Sequence, residues 1–193
     1  MNLKSLICYV VLGILLMGSG IVVSCDSFNE DLPECRLLVK FKYDYNMEFA
    51  DAFHAQVDKV ELYIFDKDGK FMFKQAEEGS ALSTGNYLME VELPVGQYQF
   101  MAWAGARDSY DITLLTPGVS TITDLKLKLK REASLIINKK METLWYGEII
   151  GVNFTGTEHQ TETINLIRDT KIVRFGFQSY TGTWTLDMND YDY

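Results

Sequence analysis

Val60-Glu61-Leu62-Tyr63-Ile64-Phe65-Asp66-Lys67-Asp68-Gly69-Lys70-Phe71-Met72-Phe73 is the stretch that sets the fold class. Val60, Leu62 and Ile64 recur with a period of two, which gives an extended chain one apolar face. Asp66-Lys67-Asp68-Gly69 then supplies what a tight reversal needs, with glycine free to take positive φ, and Phe71-Met72-Phe73 resumes the apolar run. Residues 57–74 are therefore predicted to form a β-hairpin. Asp66 and Asp68 also match a carboxylate pair or a calcium loop, but Asp and Gly at these positions are what the turn itself requires.

The same period extends to both sides. Leu37, Val39, Phe41 and Tyr43 alternate with Leu38, Lys40 and Lys42. Tyr87, Met89, Val91 and Leu93 form a further strand, Pro94-Val95-Gly96 turns it, and Tyr98, Phe100, Ala102 and Ala104 run back on one face with Trp103 on the other. Leu125, Leu127 and Leu129 alternate with Lys126, Lys128 and Lys130, the pattern of a strand with one face in the core and one in water. Those lysines read as a solvated face. Residues 135–137, 144–152, 163–167 and 172–177 are shorter strand candidates, and only 47–54 reads as a helix. Roughly nine strands spaced by turn signals predict an all-β fold built as an antiparallel sandwich. The expected domain covers residues 35–168, an ordinary size. Residues 169–193, with Val173, Phe175 and Phe177, are expected either to complete that sheet or to start a second β domain; 169–178 are expected to pack on the first domain.

Composition narrows the function. The chain has 193 residues, 27 acidic against 18 basic, and a formal charge of −9. That argues against nucleic acid as a partner, because phosphate contacts need a surplus of Lys and Arg on one face. Two histidines, three cysteines and three prolines leave little material for a zinc site, a disulfide scaffold or a Pro-rich linker. His54 and His159 are far apart and neither sits in a ligand spacing, and no nucleophile elbow, P-loop or dinucleotide fingerprint occurs. No catalytic residue, cofactor or metal is expected, and the balance points to binding or scaffolding.

The N-terminus carries the most specific local signal. Lys4 precedes an uncharged apolar run, 6–23, broken only by Gly13, Gly18, Ser19 and Gly20. This is a signal-peptide pattern, with a short transmembrane anchor as its alternative. Val22-Val23-Ser24-Cys25 closes the run and resembles the lipobox of bacterial lipoproteins. That resemblance implies cleavage between Ser24 and Cys25, an S-diacylglycerol group on the Cys25 thiol and an N-palmitoyl group on its new amine. One acyl chain anchors only marginally, whereas several hold firmly. Residues 1–24 are then the signal peptide and 25–34 a lipidated tether whose Asp26-Ser27-Phe28-Asn29-Glu30-Asp31 is too polar to fold. Cys35, the other mature cysteine, is expected to be buried as a small hydrophobe, a free thiol being the alternative.

One family shares this order of segments. Cys25-Asp26, Cys35, Val39-Lys40-Phe41-Lys42-Tyr43-Asp44-Tyr45-Asn46-Met47, Val60 to Asp66 with Gly69, Leu93-Pro94-Val95-Gly96, Ala102-Trp103-Ala104-Gly105, Leu144-Trp145-Tyr146-Gly147 and Leu166-Ile167-Arg168-Asp169-Thr170 together resemble the fimbrial anchor lipoproteins of Bacteroidetes, the FimB-like minor-fimbrium anchor subunits. The resemblance implies transthyretin-like sandwich domains of Greek-key type behind a lipidated cysteine. It also implies an outer-membrane lipoprotein that anchors a type V-like fimbrium, regulates its assembly or length and serves cell adhesion, with a fimbrillin partner engaged by strand donation. Such proteins continue into a second domain after a segment like Ile172 to Gln178, so a chain ending at Tyr193 is expected to be a short or truncated member. The alternative function is a surface-lipoprotein module for a glycan or host protein, built on Trp103, Trp145 and Trp184 as exposed aromatics.

Overall fold

Alternation is most literal in β1 (Leu37–Lys42), which buries Leu37, Val39 and Phe41 and leaves Lys40 in water. The computed structural model describes residues 35–131 and 140–171. After β1 come α1 (Phe53–Gln56), a single helical turn, and the predicted hairpin, β2 (Lys59–Asp66) and β3 (Phe71–Glu78). The later strands are β4 (Met89–Val91), β5 (Gly96–Ala104), β6 (Tyr110–Ile112), β7 (Leu127–Leu129), β8 (Trp145–Phe154) and β9 (Gln160–Arg168). The candidate strands at 135–137 and 172–177 lie outside the described residues.

Among the described residues, seven strands make one sheet in the order β3-β2-β5-β8-β9-β1-β4, and β6 and β7 form a separate ribbon. The all-β expectation holds. The purely antiparallel expectation does not, because β1 runs parallel to β9 from Leu37 opposite Gln160 to Lys42 opposite Asn165. The direction of β9 is set by its hairpin with β8, and alternation on β1 marks a buried face without marking which way its neighbour runs. Two further expectations are corrected. β4 pairs with β1 and not with β5, so Pro94-Val95 carries the chain across to another part of the sheet. Among the described residues α1 is the only α-helix, and residues 44–51 form a loop.

The sheet curls at β9. That strand pairs with β8 only at Trp145–Arg168, Tyr146–Ile167 and Gly147–Leu166, while its 160–165 stretch pairs with β1. A strand that changes partners in this way makes a corner. Leu37, Val39 and Phe41 from β1 with Ile164 and Leu166 from β9 thereby meet Val60, Leu62 and Ile64 from β2 and Phe100, Ala102 and Ala104 from β5 in one core. At the corner, a Cβ on Gly147 would lie 2.8 Å from Ile164 Cγ2 and 2.9 Å from Ala102 Cβ, so no side chain fits there.

β2 is buried on both faces. Its second face places Tyr63 and Phe65 beside Phe71, Met101 and Leu125, with Ile112, Leu115 and Ile122 from the 110–129 segment packed over them. This is where the Leu/Lys alternation ends up. Leu125 is buried and Leu127 and Leu129 are half-buried on β7, with Lys126 and Lys128 in solvent. The same face buries one charge. Glu61 is only 8% exposed, accepts a hydrogen bond from the Tyr63 hydroxyl at 2.8 Å, and pairs with Lys74 Nζ at 3.3 Å and Lys59 Nζ at 3.5 Å. Burial pushes the Glu61 carboxyl up, but the Tyr63 hydrogen bond and the two ammonium groups outweigh it and hold the group below its ordinary value. Burial, with the adjoining carboxylate, pushes the Tyr63 phenol far up.

Two outcomes test this packing. Gly147→Ala is expected to destabilise the fold by about 1–3 kcal/mol through overpacking. Gly151→Ala, with open space around the added methyl, is expected to change it by less than about 0.5 kcal/mol. Equal urea midpoints for the two variants would show that the corner is not tightly closed. Glu61→Gln is expected to cost about 1–3 kcal/mol at neutral pH, since Lys59 and Lys74 lose the opposite charge beside them, Lys59 keeping its hydrogen bond to the Ala106 carbonyl. A carboxylate with a lowered folded-state value stabilises above its unfolded value of 4.5, and this is lost as pH falls through the folded value. The difference between wild type and variant should therefore hold above pH 4.5 and shrink below it; a difference that stays constant down to pH 3 refutes the assignment.

Candidate functional site

Ser24, Cys25 and Trp184 lie outside the described residues. Cys35 is exposed, contrary to expectation, because it precedes Leu37 and the ladder that buries β1. Trp145 is 3% exposed and packs edge-on against Tyr43 at 6.0 Å, so it belongs to the core. Trp103 does face the side opposite Phe100 and Ala102, but it is half-buried and edge-on to its cross-strand neighbour Tyr146 at 5.4 Å. Trp103 and Trp145 therefore form no exposed aromatic platform for a sugar. His54 on α1 and His159 in the β8–β9 turn are both exposed, and among the described residues no group of His, Cys, Asp and Glu is arranged to hold a metal. Asp66 Oδ1 accepts the Asp68 and Lys70 N–H groups at 2.9 Å each, and Gly69 holds φ 76°, so this pair of acids closes the hairpin.

The feature with binding geometry is the seam between the two end strands of the sheet. Its origin is a one-residue slip in β3. Phe71 opposes Phe65 and Phe73 opposes Ile64, which leaves Met72 as the extra residue of a bulge. The slip aligns Phe73, Gln75 and Glu77 with Ile64, Leu62 and Val60, on the side of the main core. Only Phe73 of those three is apolar, so β3 turns polar on its inner face as it leaves the core.

Those polar groups reach the other end of the sheet. Gln75 Nε2 donates to the Glu90 carbonyl of β4 at 2.9 Å. Burial pushes the Tyr87 phenol up to about 12, helped by the charge of Glu77 and a hydrogen bond to it. Met72, Phe73, Tyr87 and Leu93 are partly buried and pack on the core beneath. The 3-10 turn Ser80–Thr84, with Leu82 fully buried, comes directly after β3. One end of the β3 edge is already covered: Phe71 N–H donates to the Ser120 carbonyl and the Phe71 carbonyl accepts from Gly118 N–H, both at 2.8 Å. Beyond Phe71, among the described residues, β3 ends the sheet on one side and β4 ends it on the other.

Such an edge can take an added strand. Its outward backbone groups offer ladder hydrogen bonds, and its alternate side-chain positions offer selectivity. The bridge across the seam consists of side chains, each hydrogen bond contributing only about 1 kcal/mol. Lys74, Glu78 and Glu90 are exposed charges of the kind that keep an edge from pairing indiscriminately. Sequence reasoning missed the seam because it paired β4 with β5. The available signal was the run Phe73-Lys74-Gln75-Ala76-Glu77, where inward positions change from aromatic to amide and acid.

Comparison with known proteins locates this fold. The family described as "Fimbrillin-A associated anchor proteins Mfa1 and Mfa2" matches residues 32–193. The minor fimbrium anchoring subunit Mfa2 of Porphyromonas gingivalis is 29% identical over 131 residues, covering 66% of this chain and 40% of that protein. A crystal structure from Bacteroides thetaiotaomicron VPI-5482, described as a candidate polysaccharide-binding protein, is 92% identical with a TM-score of 0.77, over 81% of this chain and 55% of that one. A candidate adhesin from Bacteroides ovatus is 35% identical with a TM-score of 0.66, over 76% of this chain and 49% of that one. The chain thus spans about half the length, or less, of these relatives. A match running from just before β1 to the last residue, on a curled sheet shared with solved relatives, means that this chain belongs to the family of the fimbrillin-A associated anchor proteins Mfa1 and Mfa2.

Proposed function

We propose that this chain anchors a fimbrium to the outer membrane and that it does so by accepting a strand of a fimbrillin subunit at the β3–β4 seam. The observation that carries the proposal is the seam itself: two sheet ends held together by the Gln75 side chain, with partly buried Met72, Phe73, Tyr87 and Leu93 behind them. Insertion of a partner strand exchanges that side-chain bridge for backbone ladders on β3 and β4 and covers the half-exposed apolar groups. In this reading the curled sheet is a variant of the transthyretin-like sandwich.

Cys25 is the membrane end of the same device. The family resemblance and the Val22-Val23-Ser24-Cys25 sequence support cleavage before Cys25 and its acylation. Each buried methylene contributes about 0.8 kcal/mol, so diacylglycerol plus palmitate holds far more firmly than one chain. A subunit tied to lipid at one end and joined to a fimbrillin at the other fixes the base of the shaft and limits its growth. This is a structural role with no chemical step. The alternative, a glycan-binding surface lipoprotein, has support in the description of the Bacteroides thetaiotaomicron relative. Against it, Trp145 is in the core and Trp103 is packed on Tyr146.

Crosslinking in intact cells tests the anchoring role. Wild-type protein is expected to retrieve a fimbrial subunit identifiable by mass spectrometry, and Cys25→Ala is expected to release the protein into the medium with its fimbriae. Retrieval of no pilin by either form sinks the anchor reading. A photocrosslinking residue at the edge positions Lys74 or Ala76 is expected to capture the fimbrial subunit, whereas one at exposed Lys126, beside the β6–β7 ribbon, is not. Capture from Lys126 alone would move the interface away from the seam.

A further inference from the structure

The loop 44–51, between β1 and α1, is tightly tied and yet presents large apolar side chains to water. Asn46 Nδ2 donates to the Tyr43 and Ala50 carbonyls at 2.9 and 2.8 Å, and its Oδ1 accepts the Glu48 N–H at 2.9 Å. Asp51 Oδ1 accepts the Tyr43 and Phe53 N–H groups at 3.0 and 3.1 Å. On this frame Tyr45, Met47 and Phe49 are 80%, 94% and 92% exposed. Three such neighbours in one hydrogen-bonded loop form an apolar patch, which marks an interaction surface more often than chance.

The loop is one wall of a groove of about 1160 Å³ whose other wall is the end of β9, with Ile167, Arg168, Thr170 and Lys171. That volume exceeds the roughly 300–1,000 Å³ typical of small-molecule pockets and suits several side chains of a polypeptide. Arg168 is among the residues that line the groove, and its Nε is buried without a hydrogen-bond partner within the described residues. The chain is held in place to the lip of the groove, because Asp169 N–H donates to the Leu144 carbonyl at 2.9 Å and Leu144 N–H donates to Thr170 Oγ1 at 3.1 Å. Lys171, the last residue described, is therefore held at this surface.

Beyond Lys171 the sequence runs Ile172-Val173-Arg174-Phe175-Gly176-Phe177, in which Val173, Phe175 and Phe177 share one face of an extended chain. We propose that this segment, 172–177, is the occupant of the groove, with Val173, Phe175 and Phe177 laid against Tyr45, Met47, Phe49 and Ile167. Attachment one residue away gives it an effective concentration that a separate partner does not reach in solution. The match is also chemical: an apolar alternating segment meets an apolar patch.

Hydrogen exchange on the whole chain, read by mass spectrometry against a synthetic peptide of residues 168–193, tests the proposal. Amides of 172–177 are expected to exchange at least about tenfold more slowly in the chain than in the peptide. In Met47→Asn/Phe49→Asn they are expected to return to within about twofold of the peptide, with β2 and β5 still protected. The Phe49 position, at φ 55°, accepts Asn readily, and if β2 and β5 lose protection the single variant Tyr45→Asn is read in its place. Exchange at the peptide rate in wild type overturns the proposal. Protection that survives the substitutions in a folded chain overturns it as well. Protection that grows with protein concentration assigns the groove to a second copy and overturns the intramolecular reading.

Discussion

At Gly147 the backbone of β8 lies so close to Ala102 on β5 and Ile164 on β9 that only a residue without a side chain fits. Three strands converge there, and the rest of the sheet depends on that approach. It lets β9 leave β8 after three residue pairs and carry the sheet over to β1. Without the turnover, Leu37, Val39 and Phe41 would have no facing layer, and the inner faces of β2 and β5 would be half of a core. Packing of this kind tolerates little change in volume, since protein interiors are filled as densely as organic crystals.

The same closure produces the candidate binding edge. A sheet that curls brings its first and last strands near one another, and a fully closed barrel would join them by a ladder and abolish both edges. Here the closure stops one side chain short. Gln75 spans the remaining gap to Glu90, and Glu77 meets Tyr87, groups that the bulge at Met72 has turned toward the core side. Core and seam are thus two consequences of one curvature: it buries the apolar faces and leaves two edges with a polar, exchangeable bridge. An edge kept apart from its neighbour by side chains leaves backbone groups that an added strand could pair with while the core stays folded.

Aromatic residues serve this architecture more than they serve a ligand. Phe41 stacks on Phe53 of α1 at 5.7 Å, Tyr43 meets Trp145 at 6.0 Å, and Phe65 meets Phe71 at 5.7 Å. Each such ring buries a large area, and all six lie in the two apolar clusters of the sheet. Among the described residues the exposed exceptions, Tyr45 and Phe49 with Met47, are gathered in one loop beside Lys171. Their clustering, more than their number, sets them apart from the scattered apolar surface any protein carries.

Local chemistry was legible in the residues themselves. Period-two alternation identified the inward faces of β1, β2 and β5, because a strand's side chains alternate whatever its partners are. Asp66-Lys67-Asp68-Gly69 identified the β2–β3 reversal, because its conformation is settled within four residues. The ordered motifs from Val39 to Arg168 identified the family. Tertiary structure alone decided what depends on distant segments meeting: the parallel run of β1 beside β9, the pairing of β4 with β1, the burial of Trp145 and the approach of β3 to β4. Only the last leaves a local trace, the change from Phe73 to Gln75 and Glu77 at inward positions of β3. A strand reads the same beside either neighbour and in either direction, and an aromatic residue reads the same in the core as on the surface until the curvature of the sheet places it.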